Sequence, residues 1–423
     1  MGTHSSRQRI ERILYMAALV IAGEAIFGLP FHVARFFRPT VLRAFELSNT
    51  ELGTLQAVYG VIAMLAYFPG GPLADRFPAR KLMTASLVST GLGGLYFASI
   101  PSYQGMLVLF GFWGASTILL FWAALIRATR EWGGHDEQGR AYGILDGGRG
   151  LLAAVIASGA VVLLSLFFPE DADTVSDAQR IAALRNVIYV YTTTTLVAAV
   201  IVWWFVPEKT GVIAQENTHV WRHVPDVLRM PAVWLQALIV VCAYSAFKGL
   251  DDYSLFAVEG YGMNEVEGAR VSAIAGWIRP FAAVAAGFLG DRISSSRVVT
   301  ICFGMLVAGF LFFALNEPNP NTAWILFANV VVTGIAVFGL RGVYFALFQE
   351  ARVSLALTGT AVGLVSFIGY TPDVFVGPIG GWLLDRSPGA AGHQHFFFFL
   401  AAVAAIGLVT SLVFRRIKEH VRS

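Results

Sequence analysis

The chain has 423 residues, of which 56% are hydrophobic and 13% charged, with 33 Phe, 10 Trp and a formal net charge of +3. Its mean hydropathy is +0.65. A soluble domain is usually about 45–50% apolar and about 25% charged, so too little polar surface exists to cover a water-soluble globule, which excludes soluble enzymes, nucleic-acid modules and disordered chains. The small net charge, with no basic cluster interleaved with aromatics, gives no reason to expect a nucleic-acid partner.

Taken in chain order, apolar runs long enough for a membrane helix of about 20 residues fall near 13–37, 52–72, 82–100, 105–129, 142–168 and 186–206. After a polar stretch they resume near 232–258, 268–290, 298–315, 322–348, 357–384 and 396–414. The expectation is an all-α membrane protein of twelve transmembrane helices in two six-helix bundles. Long continuous runs, rather than ten-residue alternations, exclude a β-barrel. The first run is too long for a signal-peptide core. The two cysteines, Cys242 and Cys302, lie in separate apolar runs and read as small core residues.

Positive residues orient the spans. With the N-terminus cytoplasmic, eighteen bases fall in inner loops, from Arg7 through Arg76, Arg80, Lys81 and Arg292 to Arg422. Six fall outside: Arg38, Arg43, Arg180, Arg185, Arg270 and Arg386. Both termini are therefore expected inside, and the acidic stretches Pro169 to Asp173 and Glu259 to Glu267 outside. The expected division is an N-terminal bundle at 1–206, a charged linker at 207–230 with prolines near its ends, and a C-terminal bundle at 231–423.

An internal repeat runs at an offset of 216. It carries Gly71 onto Gly287, Asp75 onto Asp291, Gly143 onto Gly359 and Gly147 onto Gly363. A duplicated six-helix unit is the parallel-repeat plan of many secondary transporters. The loop Gly71-x-x-x-Asp75-Arg76-x-x-x-Arg80-Lys81, with a looser copy at Gly287, Asp291, Arg292 and Arg297, resembles the signature of the major facilitator superfamily between helices two and three. Acid and base groups there can lock two helix ends, and the expected gating residues are Gly71, Asp75, Arg76, Arg80, Asp291 and Arg292.

Three further patches resemble the organophosphate:phosphate antiporter branch and its organic-anion relatives, among them sulfoquinovose transporters. One is Arg127 to Trp132 followed by Gly139-Arg140-Ala141-x-Gly143. Another is Gly359-Thr360-Ala361-x-Gly363 with Gly369-Tyr370, Gly377, Gly381 and Asp385. The third is a base late in span one and another in span seven. The resemblance implies a twelve-helix fold, alternating access, and a phosphorylated, sulfonated or carboxylated substrate gripped by Arg35 and Lys248. The chain departs from the pattern in placing Lys248 where the branch usually has Arg, which replaces a bidentate fork by a point charge.

Charge inside the bilayer is expensive and marks function. Six bases remain there: Arg35, Arg127, Arg149, Lys248, Arg279 and Arg341. The acids at similar depth are Glu24, Asp146, Asp251, Asp252 and Asp373. The 216 shift pairs His32 with Lys248 and Arg35 with Asp251, which places this cluster about one central axis. Expected substrate contacts are Arg35, Lys248, His32 and Arg149, with Gln56, Tyr59 and Tyr370 as polar neighbours. Asp146 and Arg149 share a helix face by i,i+3 spacing. Arg127 and Arg341 are expected at inner gates, and Arg279, before Pro280, in a structural role. A carboxyl within the bilayer can carry a proton, so Glu24 is the candidate for coupling, with Asp146, Asp251, Asp252 and Asp373 balancing charge. His393 and His395 read as outer-loop residues, and Phe396 to Phe399 as lipid-facing.

No phosphate-cradling loop, metal-ligand pair or nucleophile–base set stands out, so no cofactor, metal or enzymatic activity is expected. The reading is a monomeric secondary transporter of the bacterial inner membrane, working on a small organic anion by proton symport or anion exchange. Its rivals are a proton-coupled efflux pump for amphipathic compounds and a transport-inactive sensor of an organic anion.

Overall fold

The computed structural model describes residues 2–134, 137–168, 175–208, 224–351, 353 and 355–420. The acidic stretch at 169–173, the linker residues 209–223 and the bases Lys209, Arg222, Arg352 and Arg422 lie outside the described residues. Among the described residues the regular elements are all helical.

We label the long helices α1 Gln8–Phe36, α2 Asn49–Arg76, α3 Ala79–Ala98, α4 Tyr103–Gly133, α5 Arg140–Ser165, α6 Asp177–Phe205, α7 Pro231–Tyr261, α8 Glu265–Ile293, α9 Ser295–Leu315, α10 Pro320–Glu350, α11 Ala361–Arg386 and α12 Ala390–Arg416. Eleven of these, all but α3, are long and apolar enough to cross a membrane. Arg80, Lys81 and a series of Ser and Thr lower the hydropathy of α3, yet it packs along α6 as an equal member of its bundle. Large apolar side chains such as Trp204, Val108, Leu166 and Phe281 stay more than two-thirds exposed, the outer surface expected of a protein solvated by lipid.

Local sequence sets the helix starts. Ser48 with Glu51, Ser176 with Gln179 and Asn264 with Glu267 form reciprocal capping boxes at α2, α6 and α8, each satisfying two orphan N–H donors. The repeat recurs in side-chain detail. Thr117 donates to the carbonyl of Trp113 and Thr333 to that of Asn329, both at 2.7 Å. Each threonine also meets a tyrosine hydroxyl at 2.6 Å, Tyr59 in one case and Tyr253 in the other.

The two groups of helices meet along α2 with α11 and α5 with α8. The α2–α11 crossing depends on glycine. A Cβ at Gly53 would sit 2.3 Å from the Gly377 carbonyl oxygen, and one at Gly381 would sit 2.3 Å from that of Asn49. Small residues at such crossings let backbones approach. Gly71, an expected gate residue, has nothing within 4 Å of that position and so serves no close approach.

Apolar packing is asymmetric between the two ends. One cluster joins Val33, Phe37 and Val41 of the first group to Leu255, Val266, Ala269, Ala273 and Leu384 of the second. A cluster around Met16, Leu82, Leu125 and Val202 contains first-group residues alone, and another around Val240, Phe303 and Leu347 second-group residues alone. The seam is therefore continuous at the end bearing the loops before α2, α6 and α8. The charge distribution leads us to expect this end outside, and we call it the outer end.

The structure corrects three sequence expectations here. His393 is not in a loop: it sits fully buried in α12, with its ring nitrogens 2.7 Å from Asp252 and 3.1 Å from Glu259. Phe396 and Phe397 face the core at 4% and 0% exposure, and of that run Phe398 is the exposed member. Arg38 and Arg180, counted as outer-surface bases, are buried.

Candidate functional site

The central cavity forms where helices are broken. In α1, Gly28–His32 is a π turn, because Pro30 lacks an N–H and its ring displaces the carbonyl one turn back. In α7 a tight turn at Leu250–Asp252 follows Gly249. In α10 another spans Tyr344–Ala346. α11 breaks at Tyr370 and Thr371, ahead of Pro372, which disfavours helical geometry in the residue before it. Backbone freed from the helical ladder at membrane depth is tolerated where it is packed in protein or lines a cavity.

The cavity has a volume of about 140 Å³. Five bases line it, Arg35 and Arg149 from the first group and Lys248, Arg279 and Arg341 from the second, beside His32 and two acids, Glu24 and Asp373. Most of the remaining wall is aromatic, including Phe27, Phe31, Tyr59, Trp122, Tyr244 and Phe247.

The charges are cross-connected. Arg35 donates to Asp251. Lys248 lies 3.0 Å from the other Asp251 oxygen and 3.6 Å from Asp373, which also accepts from the Tyr244 hydroxyl at 3.0 Å. Glu24, 2% exposed, has His32 at 3.3 Å, Arg149 at 3.5 Å and Arg279 at 3.9 Å. Arg279 also donates to Asp146 at 2.9 Å. Several of these ion pairs are not well-directed hydrogen bonds: among the described residues Lys248 Nζ, Arg149 Nε and Glu24 Oε2 are buried without a hydrogen-bond partner, as is Nη1 of the unpaired Arg341. Buried polar atoms in native structures are normally satisfied, so the three nitrogens have donor capacity that a bound ligand could take up.

At the outer end the two groups are clasped. Glu265 of α8 accepts from Thr40 at 2.5 Å, Arg43 at 2.8 Å and Arg180 at 2.9 Å. Arg38 donates to Asn49 at 2.8 Å and reaches the Asp251 carbonyl at 3.4 Å. The Asp385 carboxylate of α11 accepts from the N–H groups of Asn49 and Thr50 at 3.0 and 2.7 Å, capping α2 from the opposite group.

At the inner end Asp75, Arg76, Asp291 and Arg292 are exposed. Arg80 and Lys81 of α3 bind Glu208 just beyond α6. The hydrogen bond from Lys81, with the charges of both bases, holds the Glu208 carboxyl below its ordinary range. Arg127 binds Glu131 and the Ala74 carbonyl near the end of α2. Among the described residues these inner contacts stay within one group.

Of the expected substrate and charge-balancing residues, Arg35, Lys248, His32, Arg149, Tyr59, Tyr370, Glu24 and Asp373 line the cavity. Gln56 does not: its side chain packs across the group boundary against Gly377. Asp252 faces His393, not the cavity bases. Asp146 and Arg149 share a helix face, but Asp146 turns to Arg279 and Arg149 to Glu24. Glu24 is accordingly not a lone carboxyl. Arg341, expected at an inner gate, lies in the cavity wall with its guanidinium 4.1 Å from the Phe247 ring centre.

Arg279, assigned to structure because of Pro280, also lines the cavity. Its stem lies over Gly150, where a Cβ would meet it at 3.1 Å. The sequence signal for that is its depth, since a base within the membrane is costly whatever its neighbour.

Residues 19–371 match the sequence profile of the Major Facilitator Superfamily. The chain is 28% identical to the inner membrane protein YqcE of Escherichia coli K12, over 96% of each chain. It is 25% identical to that organism's inner membrane protein YihN, over 95% of each. Among solved structures, a bacterial homologue of the human lysosomal transporter Spinster, inward-facing and occupied, superposes with a TM-score of 0.74 at 12% identity, covering 98% of this chain and 97% of the other.

Proposed function

The chain belongs to the Major Facilitator Superfamily, and from that premise we propose that this multi-pass membrane transporter is a secondary carrier of a small organic anion in the bacterial inner membrane. The relatives named as inner membrane proteins support that location. The observation that carries the anion reading is the convergence of five bases from both groups of helices on one cavity that holds two acids. A base at mid-membrane is retained where it is paired or serves a substrate, and bases contributed by both bundles let an anion bridge them.

The proposed substrates are sugar sulfonates, sugar phosphates or carboxylates, the classes handled by the organic-anion branch that the sequence resembles. Arg35, Lys248 and Arg149 supply the positive field, with His32, Tyr59 and Tyr370 beside it. Bundles 1–206 and 231–423, joined by 207–230, rock about this site. The outer clasp and the exposed Asp75, Arg76, Asp291 and Arg292 fit a state closed outside, in which the inner loops are released. Coupling runs to protons through Glu24 or to a second anion in exchange.

Uptake into proteoliposomes of a panel of sulfonated, phosphorylated and carboxylated compounds tests the reading, with a pH jump imposed on wild type and Glu24→Gln. Uptake of an anionic member supports it. Transport of cationic amphipaths alone overturns it. A proton dependence that Glu24→Gln leaves unchanged removes Glu24 from coupling.

A further inference from the structure

Resting on the organic-anion reading, the pairing of charges around the cavity separates one base from the other four. Arg35 has Asp251. Lys248 shares Asp251 and reaches Asp373. Arg149 has Glu24, and Arg279 has Asp146 and Glu24. Among the described residues, no carboxylate lies within 4.0 Å of Arg341. Its neighbours are rings: its guanidinium carbon lies 4.1 Å from the centre of Phe247 and 5.7 Å from that of Tyr244, and its Nη1 is buried without a hydrogen-bond partner.

The Phe247 ring also carries a second cation, since the Arg35 guanidinium lies 4.4 Å from the same ring centre. Two guanidinium groups on one ring repel each other, and of the two only Arg35 has Asp251 as a partner. The five cavity bases face four carboxylates, Glu24, Asp146, Asp251 and Asp373, beside the His32 imidazole. With all four ionised the cluster is one negative charge short, and Arg341 is the base with none of them within 4.0 Å among the described residues.

We propose that Arg341 is the base that binds the substrate's anionic group, and that the substrate is a monoanion, a sulfonate or carboxylate and not a phosphomonoester. A phosphomonoester carries nearly two charges at pH 7. Its second charge would have no free base to meet and would lie against Glu24 and Asp373, so the site rejects it by like-charge repulsion. The guanidinium offers a planar fork that suits a sulfonate or carboxylate. Tyr59, Tyr67, Tyr244 and Tyr370, all in the wall, would border the body of the molecule, whether a sugar ring or a hydrocarbon. Lys248 and Arg35 then set the field and hold α1 to α7, and Arg341 sets specificity.

The test is ligand-induced thermal stabilisation of the purified full-length protein in detergent, with two series matched in body and graded in charge: glucose, glucuronate and glucose 6-phosphate, and benzyl alcohol, benzoate and phenyl phosphate. In at least one series the monoanion should stabilise wild type most. In Arg341→Gln its binding should weaken roughly tenfold to a hundredfold, the scale of one hydrogen bond to a charged group. Arg341→Lys, which keeps the charge, should retain the monoanion preference with weaker binding, and it provides the reading should Arg341→Gln fail to fold. The inference is overturned if a phosphate ester stabilises wild type more than its monoanionic congener, or if both Arg341 variants bind the monoanion as wild type does. If no anion of either series stabilises wild type, the organic-anion reading itself falls.

Discussion

Arg35 and Asp251 stand 216 residues apart, the offset of the internal repeat, and their side chains are hydrogen-bonded to each other. Positions that the duplication makes equivalent therefore meet on the axis between the two groups of helices, one as a base and one as an acid. Lys248, one turn before Asp251, is equivalent to His32, so that α7 carries a cation where α1 carries an imidazole. Divergence between the copies has turned a symmetric position into an ion pair, and the cavity is built around it.

Asp251 serves two bases and Arg35 relies on one acid, so their removal has unequal consequences. Asp251→Asn leaves both Arg35 and Lys248 short of a counter-charge and should destabilise by about 3–5 kcal/mol, the range for breaking a buried pair. Arg35→Gln leaves Asp251 still paired with Lys248 and should lose less. Denaturation midpoints of the two single variants and the double variant check this. A double variant that sums the singles would show that the pair is not coupled, and equal losses in the singles would contradict the sharing of Asp251 between two bases.

Glu265 holds the outer end together through Thr40, Arg43 and Arg180. Glu265→Gln halves its accepting capacity and removes its charge, so the outer end should open more often. Phe31→Cys placed in the cavity should then be labelled by a membrane-impermeant maleimide from the outer side several-fold faster in the Glu265→Gln background. Unchanged labelling would mean that the clasp does not hold that end shut.

The glycine positions separate packing from gating. Gly53→Ala brings a methyl against the Gly377 carbonyl and should cost about 1–3 kcal/mol, the range for overpacking. Gly71→Ala meets nothing and should change stability by no more than about 0.5 kcal/mol. Thermal unfolding of the pair in one detergent provides the comparison, and similar losses for both would contradict the crossing described for α2 and α11.

His393 and His395 are close in sequence and opposite in setting. His393→Ala strips Asp252 of its buried partner at 2.7 Å and should destabilise by about 3 kcal/mol or more. His395, which is exposed, should tolerate Ala with little change. If His395→Ala is the more damaging variant, the buried placement of His393 on α12 is wrong.

Much of this architecture was legible in the sequence because the bilayer imposes long-period rules. Apolar runs mark the helices, loop arginines mark the ends, and the 216 offset makes Arg35 and Asp251 equivalent positions, which are hydrogen-bonded in the structure. Partner choice was less legible, since it depends on helix rotation and crossing, which spacing along one helix does not encode. Asp146 and Arg149 share a face, yet each bonds across to another helix. Gln56 lies on the same helix as Tyr59, but a glycine crossing turns it to the α11 interface. Arg341 was assigned by depth to a gate, and its stacking on Phe247 depends on where α7 and α10 meet. His393 lay near a loop by hydropathy, and burial with Asp252 and Glu259 draws it into α12.

The most direct test of the central claim is counterflow in proteoliposomes, comparing wild type with Arg35→Gln and Lys248→Gln on an organic anion that the wild type exchanges. The account predicts that wild type accumulates the labelled anion against its unlabelled counterpart, and that both variants lose most of this exchange while an unrelated surface variant, His395→Ala, retains it. Exchange at wild-type rates in both Arg35→Gln and Lys248→Gln would contradict an anion-binding cavity whose field Arg35 and Lys248 set.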